Sequence, residues 1–445
     1  MKGRKVAIFA SIVAALGGLL FGFDTAVISG AEQSVQKVFE LSGFWHGFTV
    51  AIALIGTVIG AMVAGEPADK YGRKRVLILI AALYSLSAIG SALAKNWYLF
   101  LVARLIGGLG VGASSVVGPA YISEISPSHL RGRLVALFQL NVTFGILAAY
   151  FSNYLVASAF ANQAWRWMFG VEFFPAAIFF ILLFLIPRSP RWLAKIGKKE
   201  EARQNLIKLG EQKVQQKLKE IMDSLSSDES EQEAKLFSKK YSYPIILAVL
   251  IAMFNQLSGI NAIMYFAPRI FEMAGIATET ALLRSVAIGA TNFIFTILAM
   301  TVIDKLGRKK MLIIGSFGLV FSLGMLSKIY FLQDFSGYGV LVYLVIFIAF
   351  FAFSQGSVIW VFISEIFPNK VRGEGQALGS FTHWSFSALV SWTFPIIAEN
   401  PDIGGKYAFL FFCIMMVIQL IVVWKYFPET KGRSLEQIEK DLDIE

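Results

Sequence analysis

The stretch GGLLFGFDTAVISG, residues 17–30, places one carboxylic acid, Asp24, in an apolar run with no base within four residues. A second ionisable residue, Arg104, interrupts the apolar run YLFLVARLIGGLG at 98–110. An unpaired charge in lipid costs about 2.5–3.5 kcal/mol, so each residue needs a partner at its own depth. If the first span covers about residues 6–29 and the fourth begins at about residue 98, Asp24 and Arg104 lie at similar depths below one membrane surface, at ~1.5 Å per helical residue. Gly107, Gly108 and Val111 follow on the face of Arg104, and Gly17 and Phe21 lie on the face of Asp24. Small residues let two membrane helices approach closely. The chemistry of such a pair is proton exchange: a carboxylate facing a guanidinium is held charged, and one that loses its partner or its water takes a proton. A static structural pair is the alternative reading.

Amides are the second unusual set. Gln139, Asn255, Gln256, Asn261 and Asn292 stand within apolar runs, where an unmatched amide is costly. Asn and Gln each carry a donor and an acceptor on one side chain, and with aromatic rings such as Phe21, Trp360 and Trp384 they suit a ring of hydroxyls with apolar faces. Gln256 and Asn261 point ~140° apart on a regular helix, so Gly259 between them is expected to break the helix and turn both inward. For each amide alone, hydrogen bonding between packed helices is the competing role. An unperturbed imidazole titrates near neutral pH, so His383 offers either a proton relay or a hydrogen bond.

Other chemistries are excluded by what surrounds the motifs. The run RLIGGLGVGASS at 104–115 contains GxGxxA, but that motif binds dinucleotides only after a strand, and here it sits inside an apolar span. No HExxH, GxSxG, phosphate loop or Cys/His cluster is present. No enzyme activity, metal or cofactor is therefore expected. The single Cys413 cannot form an internal disulfide.

The elements that must carry these residues are membrane helices. The chain is 56% hydrophobic and only 16% charged, with a mean hydropathy of +0.64. Soluble domains carry about 25% charged residues. Apolar stretches of about 20 residues, each long enough to span the hydrocarbon, are centred near residues 17, 56, 85, 110, 146, 177, 256, 293, 320, 352, 388 and 416. Twelve spans leave no room for a large soluble domain. The net charge of +10 is gathered in both termini and every second connection, among them DKYGRKR (69–75), LRGR (130–133), DKLGRKK (304–310) and NKVRG (369–373), while LQDFSGYG (332–339) and NPDIGG (400–405) are nearly free of Lys and Arg. That bias is the positive-inside rule, not a nucleic-acid surface. It predicts a multi-pass protein of the cell (inner) membrane, with both termini cytoplasmic and the lipid bilayer as its surroundings. The first span is too long for a signal peptide and lacks a clear cleavage site, so it is expected to remain as a helix.

The spans divide six and six about a polar stretch at 188–242. There Trp192, Ile196, Leu206 and Leu209 predict short amphipathic surface helices, and DSLSSDESEQE (223–233) predicts a polar hinge. The halves repeat. DKYGRKR at 69 recurs as DKLGRKK at 304, YISEISPSHLRG at 121 as FISEIFPNKVRG at 362, IPRSP at 186 as FPETK at 427, and GFDTAVI at 22 as GINAIMY at 259. Four matches in one order at nearly one offset mark duplicated units. The expected organisation is 1–187, a first six-helix bundle; 188–242, a cytoplasmic linker; 243–427, a second six-helix bundle; and 428–445, a tail. Duplicated halves that rock about a central site are one architecture of alternating-access transporters.

The motifs DxxGRK after spans 2 and 8, SExxPxxxRG after spans 4 and 10, and PETKGRSLEQIE at 428–439 resemble the signatures of the sugar porter family of the major facilitator superfamily, over the whole length from GFDTAVISG to PETKGRS. Among members the chain is most similar to bacterial proton symporters of the D-xylose and glucose type. The resemblance implies the all-α major facilitator fold and a proton-coupled monosaccharide importer, with Asp24 and Arg104 on the proton-coupling pair. Facilitative glucose transporters of mammals carry Asn at the Asp24 position, so the acid implies symport over uniport. It also implies sugar contacts at Gln139, Gln256, Asn261, Asn292, Gly356, Trp360 and Trp384, with Tyr265 as contact or gate. Asp69, Arg73, Glu124 and Arg131, repeated as Asp304, Arg308, Glu365 and Arg372, fall on a charge network that closes the inner gate; plain orientation charge is the other reading. The chain departs from the family at Asn255 and His383, where the xylose pattern has Gln, at Ser357 in place of Pro, and at Arg188 in place of an acid. These departures leave the sugar open. A passive sugar uniporter, a polyol or cyclitol porter and a membrane sugar sensor remain the alternatives, and a monomer is expected.

Overall fold

The structure, a computed structural model, describes residues 2–127, 129–160, 163–230, 236–400, 404–433 and 437–438. All regular elements among them are helices. In chain order the spans are Lys2–Val38, Gly43–Val63, Arg73–Leu93, Trp97–Ile125, Arg131–Ala159, a sixth broken into Ala164–Val171 and Phe173–Leu183, a seventh broken into Ser242–Leu257 and Ile260–Tyr265, then Thr278–Leu306, Arg308–Leu332, a tenth broken into Gly339–Phe353 and Gln355–Ile366, Arg372–Ala398 and Gly404–Tyr426. Among the described residues, eleven helices are long and apolar enough to cross a membrane. Arg372–Ala398, with 27 residues, matches them in length. Its Ser, Thr and Gly residues, together with His383, lower its hydropathy, and Thr382, His383, Ser387 and Ser391 among them are buried.

Packing follows lipid logic. Apolar side chains gain little by leaving lipid, so helix contacts rely on small residues and polar bonds. Span 1 buries Ala7, Ala10, Ala14 and Ala15, while Leu79, Leu86 and Leu93 of span 3 face outward.

Span 1 corrects the expected range of 6–29. It continues to Val38, because Ala31 and Val35 carry its buried face onward through SGAEQSVQKV. Asp24 therefore lies 38 − 24 = 14 residues from the end of the helix, not five. Within 188–242 the helices are Pro190–Lys195, Lys199–Lys208 and Val214–Ser230. Trp192, Leu206 and Leu209 are buried as expected, but Ile196 is exposed. The expected hinge is helical over residues 223–230, and residues 231–233 lie outside the described residues.

The chain forms two compact units. Unit one comprises Met1–Thr25, Ile55–Ala149 and Arg166–Glu233; unit two comprises Ala26–Leu54, Tyr150–Trp165 and Ala234–Glu445. The boundaries cut across the sequence repeat, since the second part of span 1, the start of span 2 and the end of span 5 belong with the later helices. Unit one centres on Tyr84, Tyr121, Phe138 and Phe179, and unit two on Leu247, Met311, Phe362 and Phe427.

Candidate functional site

In unit one, Arg104 Nη1 donates to Asp24 Oδ1 at 2.7 Å, and Nη2 donates to the Asp24 carbonyl at 3.2 Å. The side chains are 3% and 1% exposed, so this is a buried pair. Losing one partner of such a pair costs about 3–5 kcal/mol. The two residues meet although Arg104 is only 104 − 97 = 7 residues from the start of its helix, because span 1 projects beyond the level where span 4 begins. Gly107 lies beside the pair: a Cβ there would meet the Ser87 side chain and stand 3.2 Å from Asp24 Oδ1. The Phe169 ring lies 5.2 Å from the Arg104 guanidinium carbon.

A third ionisable group, Glu172, shares this site, and the sequence reasoning missed it. It sits at the break in span 6, has no exposed surface, and interacts with both Asp24 and Arg104. Neither carboxyl oxygen has a hydrogen-bond donor among the described residues. The signal was available: WMFGVEFFPAAIFF holds a lone acid in an apolar run, as Asp24 does. Tyr84, Ser87 and Ser114 add buried hydroxyls around the acids. One guanidinium therefore faces two carboxyl groups.

In unit two the amides converge as the Gly259 break predicts. Gly259 has φ +84°, a conformation that costs a residue with a Cβ about 1–2 kcal/mol. Beyond it, Asn261 Nδ2 turns back to donate to Gln256 Oε1 at 2.8 Å and also bonds Ser387 Oγ. Gln256 Nε2 donates to Asn255 Oδ1 at 3.0 Å and lies 3.2 Å from one His383 ring nitrogen. The His383 ring stands 4.9 Å from Trp360 and 4.8 Å from Trp384 between centroids. Tyr265 is buried on the helix that carries Asn261, Asn292 is buried on span 8, and Gly356 lies in the first turn of the second helix of span 10, just after the break at Ser354. Phe21 and Gln139 belong to unit one, where both are half-buried and Phe21 packs on the core. The amides thus form a hydrogen-bonding surface bordered by indole rings.

The loop charges pair within each half. In unit one Arg73 contacts Asp69 at 2.8 Å and Glu124 at 2.9 Å, and Lys195 also reaches Asp69 at 2.9 Å. In unit two Arg308 contacts Asp304 at 3.1 Å and holds Glu365 through two nitrogens at 2.7 and 3.1 Å. Among the described residues Arg131 stands apart, exposed and without an ion pair, and Arg372 donates to the Phe367 carbonyl at 3.4 Å with no ion pair of its own. The acids use the Arg of the DxxGRK motif, which the helix ends bring closer. Burial alone would raise the Asp69 carboxyl, but Lys195 and Arg73 outweigh it and hold the group below its ordinary value.

The halves differ at one position. Glu429 accepts the Arg308 N–H at 2.9 Å and the Lys309 N–H at 3.2 Å, capping the start of span 9. The repeat places Arg188 at the matching position of the first half. A cation cannot cap a helix N-terminus, and Arg188 turns away to Glu201 at 3.7 Å. Trp192 fills the space against Gly72 and donates to the Asp69 carbonyl at 2.8 Å.

Residues 10–442 match the model of the family described as sugar (and other) transporter. This chain belongs to that family. Among its relatives, the arabinose-proton symporter of Bacillus subtilis (strain 168) is 36% identical over 439 residues, covering 97% of this chain and 94% of the relative. The D-xylose-proton symporter of Escherichia coli (strain K12) is 36% identical over 465 residues, covering 96% and 94%. The inward-open structure of the xylose transporter XylE from E. coli superposes with a TM-score of 0.86 at 36% identity, covering 97% of this chain and 99% of that one. The family is one of transporters, the fold is the major facilitator fold of XylE, and the chain is a multi-pass membrane protein.

Proposed function

We propose that this protein imports a monosaccharide together with a proton by alternating access, and that Asp24, Arg104 and Glu172 form the proton site. The observation that carries the reading is the imbalance of that site. Two buried carboxyl groups face one guanidinium, and an uncompensated buried charge costs several kcal/mol. The site is neutral when it holds one proton. A proton that enters with sugar on one side and leaves on the other balances these charges in turn, which couples its movement to the conformational cycle.

The sugar site in this reading uses Asn255, Gln256, Asn261, His383, Trp360 and Trp384 from unit two, with Asn292, Tyr265 and Gly356 of the same unit. Amides and an imidazole bond hydroxyl groups, and indole faces cover the C–H faces of a pyranose. The relatives named as xylose, arabinose and glucose transporters support a pentose or hexose. Their shared identity of 36–38% and the departures at Asn255 and His383 leave the choice among these sugars to experiment. Asp69, Arg73, Glu124, Asp304, Arg308 and Glu365, with Arg131 and Arg372, form the inner gate. The termini face the cytoplasm of the cell membrane, the halves divide as 1–187 and 243–427 about the 188–242 linker, with a 428–445 tail, and the working unit is a monomer.

The test is transport in liposomes containing a pH-sensitive dye. D-xylose, L-arabinose, D-glucose and a polyol are offered in turn, with no imposed gradient. Symport predicts acidification of the lumen on addition of one sugar and alkalinisation outside. Sugar entry with a flat dye signal would make the protein a passive carrier, and response to the polyol alone would move the substrate class.

A further inference from the structure

Spans 3 and 4 of unit one carry buried hydroxyl groups that behave unlike the other serines of the chain. Serine inside a helix commonly returns its hydroxyl to a carbonyl one turn back. Ser11 does so with Ala7 at 2.8 Å, Ser285 with Ala281 at 2.9 Å, Ser316 with Leu312 at 2.8 Å and Ser322 with Gly318 at 2.8 Å. On span 3 itself Ser85 donates to the Ala81 carbonyl at 2.9 Å, and on span 4 Ser115 donates to Gly112 at 2.7 Å. Ser87 and Ser91 of span 3 and Ser114 of span 4 do not. Their oxygens are buried with no hydrogen-bond partner among the described residues, and so is the Tyr84 hydroxyl. None of these four residues is more than 1% exposed.

The four hydroxyls share a seam with the acids. Tyr84, Ser87 and Ser91 recur at helical spacing and lie on one face of span 3. A Cβ on Gly107 would meet Ser87 Oγ and also approach Asp24 Oδ1, which places Ser87 beside the pair. Tyr84 interacts with Asp24 and Glu172 and approaches Ser114. Ser114 Oγ stands 2.7 Å from where a Cβ on Gly17 would lie, on the face of span 1 that also carries Asp24. Glu172 Oε1 and Oε2 and Arg104 Nε are further buried atoms here without a hydrogen-bond partner among the described residues. In the other direction Ser91 occupies the last turn of span 3. Arg166 of span 6 fixes that end by donating to the Ala92 and Ala94 carbonyls at 2.9 and 2.7 Å. The seam therefore runs from the acids to the end of the helix. Buried polar atoms are costly when unmatched. Water, which both donates and accepts and takes about two to four partners in buried sites, is the guest that matches hydroxyl, carboxyl and guanidinium groups alike.

We propose that this seam holds a row of water molecules, and that Ser87 and Ser91 carry the coupled proton between the outer surface and the Asp24 and Glu172 carboxyl groups, by residues of unit one alone. The proposal rests on the proton-site reading above and on cytoplasmic termini, which place the end of span 3 outside. A proton taken up at Ser91 moves as each water or hydroxyl accepts one proton and releases another, and a carboxylate receives the last. The hydroxyls then rotate back, and only O–H bonds form and break.

The test compares Ser91→Val with Ser91→Thr in the full chain, in liposomes holding the lumenal pH dye. Val and Thr have the same shape, and only Thr keeps a hydroxyl. D-xylose, L-arabinose and D-glucose are offered in turn. Ser91→Val is expected to slow sugar-driven proton entry about tenfold, the scale set by one lost hydrogen-bond partner, while exchange of labelled sugar at equal concentrations stays within about twofold. Ser91→Thr restores the proton rate, and Ser87→Ala lowers it as Ser91→Val does. Ser85→Val, which removes a hydroxyl already bonded to Ala81, leaves it unchanged. Equal proton rates in Ser91→Val and Ser91→Thr, or an equal loss in Ser85→Val, overturn the proposal. Should Ser91→Val lose exchange as well, Ser87→Ala decides, because it adds no bulk: proton entry at the original rate overturns the path. The unsubstituted protein separates this outcome from the broader reading. Sugar exchange there with a flat dye signal sinks proton coupling itself, and no exchange of any of the three sugars sinks the carrier.

Discussion

A carboxyl group in lipid is informative because its cost demands a reason. Asp24 is visible from its isolation and its need for a basic partner points to Arg104, although the depths assumed for the match miss the extension of span 1 to Val38. Asp24→Asn removes the group that takes the proton, so sugar accumulation against a gradient is expected to vanish while exchange at equal concentrations continues within a few-fold of the original; concentrative uptake in cells, compared with exchange in liposomes, checks this. Glu172→Gln leaves one carboxylate to one guanidinium, a pair that is neutral without a proton. Sugar-driven proton entry should then fall several-fold with exchange retained, read from the same lumenal dye. Arg104→Ala strands two buried acids and should destabilise unit one by about 3–5 kcal/mol, seen as a lower midpoint in thermal unfolding in detergent. Glu172 escaped the sequence reasoning because span 6 was read as one uninterrupted run. Its break brings the acid to the pair, and spacing alone does not show which neighbour an acid will face.

Helix breaks do most of the positioning at the element scale. Gly259 ends the first helix of span 7, and Phe412 packs where a Cβ would lie. Gly259→Ala combines left-handed strain with overpacking, about 1–3 kcal/mol for the latter, and it would misalign Gln256 and Asn261; sugar binding measured by tryptophan fluorescence should weaken at least tenfold. The first half lacks the carboxylate with which Glu429 caps span 9. Arg188→Glu should supply the matching cap at span 3, worth about 0.3–1 kcal/mol, and raise the unfolding midpoint slightly. Asp69 lies outside the spans, and its carboxyl is held low by Lys195 and Arg73. The stabilisation it lends to the docked linker helix is present above the ordinary carboxylate value of 3.8 and is lost as pH falls through the lower value of the folded protein. Faster hydrogen exchange at Trp192 and its neighbours only under such acid conditions checks this.

At the scale of the whole molecule, the repeat of four motifs in one order points to two duplicated halves, and hydropathy with charge bias points to the spans. These features are local or periodic, so a chain without a structure already displays them. Lipid imposes the same demand for length and apolarity on every helix that crosses it, which is why fold class and family were legible from residues alone. The tertiary structure decided what depends on neighbours distant in the chain. It extended span 1 to Val38, where Ala31 and Val35 are buried. It brought Glu172 to Asp24 and Arg104, paired Glu124 with Arg73 and left Arg131 without an ion pair among the described residues. It also joined Glu32, His46 and Arg269, which lie more than two hundred residues apart at their extremes. Partners of this kind are chosen by packing and by the cost of an unmatched charge, and neither is written into the spacing of any single helix.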